Sequence, residues 1–279
     1  MQTRRFFIVL LLFIAIMISV SPAWSSGDAQ SAENSFRLNK EYWKGFLSDT
    51  KEVVSAPARW EKSDWLRFSV IAGVTAGLYA ADQEIQDHVQ ENRDSTSDDL
   101  SKIFKKFGEG GYTLPPLAAL YAYGHYYENE KARKTALLSV ESFVITGIFT
   151  QIGKFSLHRH RPSTGDSHDS WDGPGVTGDN LSFPSGHSSS AFSIATVLAS
   201  EYKDHVWVPP LSYGIATLTA LSRVNDNAHW ASDVFAGSAL GYFTAKAVVG
   251  LHNDDKESRL SIDPVTNGEY TAVMVSWRY

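Results

Sequence analysis

Three short clusters in the last third of the chain carry residue types whose chemistry fits together. The first is Lys154 with Arg161-Pro162, the second Pro184-Ser185-Gly186-His187, and the third Ser222-Arg223 followed by His229 and Asp233. Three cations can surround a multiply charged anion, with arginine giving a bidentate fork. Two histidines can supply a nucleophile and an acid. Asp233 follows His229 by four positions, one turn away if both lie on a helix, where its carboxylate can fix the imidazole tautomer. Together these form an inventory for phosphoryl transfer without a metal.

Each cluster also has a plainer reading when taken alone. Lys154 and Arg161 are seven residues apart, so a helix would send both side chains out on nearly the same face, but KFSLHRHRP is equally a solvated basic helix end. Pro162 disfavours helix at Arg161 and sets the second cation at a helix end. Ser185 suits an N-cap, and Gly186 lets backbone approach a ligand. The first-turn N–H groups beyond them form an anion site, with His187 beside it. The plain alternative is a helix start padded by Ser188, Ser189 and Ser190. His229 with Asp233 reads as a nucleophile with its orienting acid, or as a structural His–Asp pair.

The elements that must position these residues read as helices. The pattern predicts helices over Phe36–Ser55, Asp64–Ala81, Asp99–Phe107, Tyr112–Tyr127 and Lys131–Phe155, with a polar connector from Asp82 to Asp99. Three more follow over Ser185–Tyr202, Val206–Leu221 and Ala228–Leu251, rich in small residues that permit close packing. Between the two sets, residues 163–183 are rich in Gly, Ser and Asp and show no period. A stretch of that length inside a compact domain is usually functional or disordered, and this one reads as a mobile lid. Tyr270–Tyr279 and Arg259–Val265, joined through Asn267-Gly268, read as a β-hairpin. The expectation is an all-α helical bundle over residues 36–255 with a C-terminal hairpin extension over 256–279.

At the start, Arg4 and Arg5 precede an apolar run from Phe6 to Val20, and small residues follow it. That layout is a secretory signal peptide, expected over residues 1–25, with a disordered linker over 26–35. The apolar run is shorter than the roughly 20 residues a membrane span needs. The chain of 279 residues has no cysteine, which excludes disulfides and thiolate chemistry. Its formal charge of −6 excludes non-specific nucleic-acid binding, so any anion must be drawn by a local patch. Several apolar stretches suit either the buried helices of a soluble bundle or membrane attachment.

Taken together, the clusters resemble the type-2 phosphatidic acid phosphatase and vanadium haloperoxidase superfamily. Its pattern is Lys-x6-Arg-Pro, then Pro-Ser-Gly-His, then Ser-Arg-x5-His-x3-Asp, and residues 154–233 match it at every position. The resemblance implies that His229 attacks phosphorus and becomes phosphohistidine, that Asp233 orients it, and that His187 protonates the leaving group and then activates water. It implies phosphate binding by Lys154, Arg161 and Arg223, assisted by Ser185 and Gly186. The expected activity is that of a phosphatase acting on lipid-linked phosphate monoesters or diphosphates, periplasmic and in contact with a membrane surface, with neither metal nor cofactor. Three alternatives stand beside it. One is a soluble periplasmic acid phosphatase, and another a vanadium-dependent haloperoxidase. The third is a metal-dependent hydrolase drawing on His158, His160, His168, Asp169, His187 and His229. A non-catalytic anion- or lipid-binding protein would be expected to lack one of the two site histidines.

Overall fold

The computed structural model describes residues 36–175, 180–252, 260–266 and 271–277. The predicted signal peptide and linker lie outside the described residues. Eight α-helices account for nearly all regular structure among those described: α1 (Lys40–Ser55), α2 (Lys62–Glu91), α3 (Ser95–Phe104), α4 (Gly110–Tyr126), α5 (Glu130–Leu157), α6 (Gly186–Glu201), α7 (Val208–Asn225) and α8 (Ala231–His252). Two strands, β1 (Leu260–Thr266) and β2 (Thr271–Trp277), pair antiparallel with Leu260 opposite Trp277 and Thr266 opposite Thr271. The Asn267-Gly268 turn predicted between them lies outside the described residues. The architecture is all-α, as the sequence implies.

Helix α6 is the axis of the bundle. It packs against α5, α7 and α8, and buried positions run around its whole circumference, from Ser188 and Ser189 to Val197 and Ala199. A helix covered on all sides belongs at a core. Small residues let it sit there: a Cβ on Gly241 of α8 would collide with the Ser189 carbonyl. Phe192, Ala195, Phe235 and Tyr242 fill the space between α6, α7 and α8.

Helix α2 departs from the sequence expectation. The sequence pattern predicts a connector from Asp82, yet the helix runs unbroken to Glu91. Tertiary contacts explain this. Asp82 and Gln86, one turn apart, are both buried. Asp82 accepts from the Ser232 N–H at 2.9 Å, and Gln86 donates to Asn227 Oδ1 at 2.6 Å. Polar residues that looked like solvent-facing linker instead dock the helix on α7 and α8.

The outer surface is apolar over several helices. Trp65, Leu66, Phe68 and Val70 of α2 are exposed, as are Val144, Ile148 and Ile152 on successive turns of α5. Helices α5 and α8 are long and apolar enough to cross a membrane.

Candidate active site

The loop between α5 and α6 and the turn between α7 and α8 bring the three sequence clusters to one end of α6. Lys154 lies in the last turn of α5, 7% exposed, and its Nζ donates to the Leu181 carbonyl. The helix ends at His158 in the left-handed conformation (φ 45°). Arg161 then adopts extended backbone before Pro162, and its Nη1 reaches the Ala228 carbonyl at 3.4 Å. Ser185 is the fully buried N-cap of α6, with Gly186 its first helical residue. Above Gly186 the nearest side-chain atoms include Lys154 Cε, at 3.9 Å from where a Cβ would stand. The Lys154 side chain thus passes close to the start of α6, whose open N–H groups are suited to anion binding.

Arg223 lies in the last turn of α7 and is 8% exposed. Its Nη1 pairs with Asp226 at 2.8 Å, while its Nε–H is buried and makes no hydrogen bond. A buried donor without a partner is costly, and here it borders the cationic cluster, ready for an anionic acceptor.

His229 and Asp233 are together, though not on one helix as the spacing suggested. Helix α8 begins at Ala231, so His229 sits in the preceding turn, its N–H bonded to the Arg223 carbonyl at 3.2 Å. Asp233 stands in the first turn of α8 and accepts from the Trp230 N–H at 2.9 Å. A carboxylate there satisfies an N–H that the helix leaves open. His229 Nδ1 lies 3.8 Å from Asp233 Oδ2. Ser182 bridges the gap: its Oγ donates to Asp233 Oδ2 at 2.5 Å and lies 3.4 Å from His229 Nδ1. Acceptor groups on the Nδ1 side favour a proton on that nitrogen and leave the Nε2 lone pair for attack. Burial, with help from Lys154 and Arg161, lowers the His229 pKa to about 3, so its imidazole is neutral across the physiological range.

His187, on the first turn of α6, faces Glu109 at 3.6 Å. A Cβ on Gly108 would stand 2.7 Å from the His187 Cβ, so only glycine lets the short 3-10 turn Lys105–Gly108 press against the histidine. Burial, then Arg223, draws His187 down to about 4, with Glu109 opposing.

Sequence reasoning missed three residues. Ser182 and Glu109 carry no local signal, and the sequence around Arg159 suits a solvated basic helix end. Instead Arg159 is fully buried. It donates to Asp233 Oδ1 at 2.6 Å, to Ser232 Oγ at 2.7 Å and to Asp82 Oδ2 at 2.7 Å. Tyr79, Trp171 and Trp230 surround its guanidinium at 4.8, 5.0 and 5.5 Å. The signal that could have found it is Asp82, an acid at the end of an apolar helix, where a buried cation is the natural partner.

The loop after Arg161, expected to be a mobile lid, is fastened over its described length. His160 contacts Asp166 at 2.7 Å and Asp172 at 3.0 Å, and Trp171 donates to the Tyr79 hydroxyl at 3.1 Å. These ties give Asp166 and Asp172 a structural use. Among the described residues, the histidines considered as zinc ligands form no metal-binding group.

Residues 135–257 match the model of the PAP2 superfamily. The lipid A 1-phosphatase of Porphyromonas gingivalis is 32% identical over 132 residues, which are 46% of this chain and 27% of that protein. The chain thus spans about a quarter of that relative. The undecaprenyl-diphosphatase of Sulfolobus acidocaldarius is 28% identical over 153 residues, 55% of this chain and 69% of that protein. The crystal structure of a transmembrane PAP2-type phosphatidylglycerolphosphate phosphatase from Bacillus subtilis superposes with a TM-score of 0.53 at 24% identity, covering 67% of this chain and 92% of that one. The fold agrees with that structure, and all three clusters fall within residues 135–257, the segment that is similar to the PAP2 superfamily.

Proposed function

We propose that this protein is a metal-independent phosphatase acting on lipid-linked phosphate monoesters or diphosphates through a phosphohistidine at His229. The observation that carries the lipid reading is an apolar cavity of about 440 Å³ that runs along α6 from one turn beyond His187. Ala191 and Ile194 on α6 and Phe107 line it, with Leu211 and Ile215 of α7 opposite. Ala191 is one turn along α6 from His187, and Phe107 precedes the glycine that presses on that histidine. A phosphate at the N-terminus of α6 would therefore hold its hydrophobic tail in this cavity. The apolar outer faces of α2 and α5, and two helices long enough to span, support membrane association. The basic, then apolar, N-terminal segment supports export. The relatives are named for lipid A 1-phosphate and undecaprenyl diphosphate, both hydrophobic phosphates.

In the reading we favour, Lys154, Arg161 and the orphan Arg223 Nε–H take the phosphoryl oxygens, and the Ser185–Gly186 helix start adds backbone donors. His229 Nε2 attacks phosphorus, the phosphorus–oxygen bond to the leaving group breaks, and the leaving oxygen takes a proton from His187. His187 is neutral in the free protein, so it must gain that proton with substrate: a bound phosphate offsets Arg223 and raises the imidazole pKa. Neutral His187 then removes a proton from water, whose oxygen attacks phosphorus, and the phosphorus–nitrogen bond breaks to release inorganic phosphate. Asp233, held by Arg159 and Ser182, stabilises the positive charge that His229 acquires.

The test is phosphate release by the full chain in detergent with chelator present. We expect kcat/KM for dispersed phosphatidate or a prenyl diphosphate to exceed that for p-nitrophenyl phosphate by at least about tenfold, a difference of about 1.4 kcal/mol in transition-state binding. Equal or better turnover of the small ester would reduce the reading to a general acid phosphatase.

A further inference from the structure

A second cluster of ligating side chains lies away from the site histidines. Helices α1, α5 and α8 bring together Asp49, Glu141 and His252, and one oxygen or nitrogen from each lies within 4.8 Å of the others. His252 Nε2 is 2.9 Å from Asp49 Oδ2. The Phe36 ring holds the imidazole edge-on at 5.5 Å between centroids. Glu141 is 1% exposed, and its Oε1 is buried with no hydrogen-bond partner.

Two carboxyl groups this close cannot both carry charge unless a proton or a cation stands between them. His252 contacts Asp49 and Glu141 leans on the same carboxyl group, yet the Glu141 Oε1 acceptor has nothing to satisfy it. Such an orphan is rare in a folded core and requires an explanation. A divalent cation supplies one: it neutralises both carboxylates, occupies the open Glu141 oxygen, and takes the His252 nitrogen lone pair in place of the contact to Asp49.

We propose that Asp49, Glu141 and His252 form a structural site for a divalent transition-metal ion. The ligand chemistry narrows the choice. Magnesium and calcium favour all-oxygen shells, whereas one imidazole with two carboxylates suits zinc or manganese. Bonds of about 2.0–2.2 Å require only small side-chain movement to close the set, with water completing the shell. Asp233 and His252 stand 19 residues apart on α8, about 28 Å at the helical rise. The ion therefore takes no part in the reaction at His229. It joins Asp49 to His252, 203 positions apart in sequence, and pins α1 and the end of α8 to α5.

The test uses the full chain in detergent, stripped with chelator, desalted, and titrated separately with zinc and manganese chloride. Bound metal is counted by elemental analysis and the melting temperature is followed. We expect one equivalent of zinc or manganese per chain and a higher Tm in its presence. Glu141→Gln and His252→Ala should each weaken binding at least tenfold and abolish the rise in Tm. His252 is partly exposed at a helix end, so its variant reports even where Glu141→Gln fails to fold. His160→Ala, which removes the other histidine among acidic residues, should leave binding intact. Turnover at ambient temperature should be the same with and without the ion, so failure here leaves the phosphatase reading standing. No stoichiometric uptake, or uptake that survives His252→Ala or is lost in His160→Ala, would overturn the site and leave Glu141 as a protonated carboxyl.

Discussion

Asp82 and Asp233 are buried away from solvent and share one guanidinium, that of Arg159. Removing that cation outright would strand two carboxylates, at a cost on the order of 3–5 kcal/mol for a broken buried pair. Arg159→Lys is the informative change, because it keeps the charge and loses the fork that reaches both acids at once. Since Arg159 acts on His229 only through Asp233, we expect kcat to fall by roughly ten- to a hundredfold with KM little changed. A rise in KM at constant kcat would place Arg159 in substrate binding instead. Glu109 bears on the other histidine. Its carboxylate opposes the burial and the Arg223 charge that lower His187. Losing it in Glu109→Gln lowers His187 further, so the proton leaves at lower pH. The basic limb of the kcat–pH profile should therefore move to lower pH, and above the limb each unit of movement costs about tenfold in rate. An unmoved limb would remove Glu109 from the proton inventory.

At the scale of elements, the site depends on how closely α8 approaches the start of α6. A Cβ on Gly237 would collide with the Ser185 carbonyl, whereas one on Gly214 of α7 meets nothing within 4 Å. Gly237→Ala should therefore cost about 1–3 kcal/mol from overpacking and displace the turn that carries Ser185 and His187, lowering kcat. Gly214→Ala should be neutral or stabilising by up to about 1 kcal/mol; equal thermal shifts in the two variants would refute this packing argument. The clusters, the helical bundle and the Ser185 N-cap were legible in the sequence, because each is a local pattern: fixed spacing, a 3.6-residue period, a capping residue. What was not legible rests on partners distant in sequence. Arg159 looks solvated until Asp82, 77 positions away, is placed beside it. Residues 82–91 look like linker until α7 and α8 cover Gln86. Ser182 lies in an aperiodic loop, and nothing in that loop reveals that it spans His229 and Asp233. The descriptive error at His229 has the same origin, since four-residue spacing fits a helix and also a turn leading into one.

In the molecule as a whole, a cationic cluster at one end of α6 is followed by an apolar cavity along it and an apolar outer surface around the bundle. The Asp49–Glu141–His252 cluster closes the bundle at the other end of α8. The central claim is chemical, that phosphate passes through His229 with no metal taking part. It is tested most directly by mixing the full chain with a radiolabelled lipid phosphate in excess chelator, stopping within one turnover in alkaline denaturant, and mapping the labelled peptide. His187→Ala is run beside it with a good leaving group, since loss of the group that activates water should make the intermediate accumulate. The account predicts label on the peptide containing His229, more of it in His187→Ala, and none in His229→Ala, which should also lose turnover. Label on another residue, label persisting in His229→Ala, or turnover that stops in chelator and returns with added metal would contradict it.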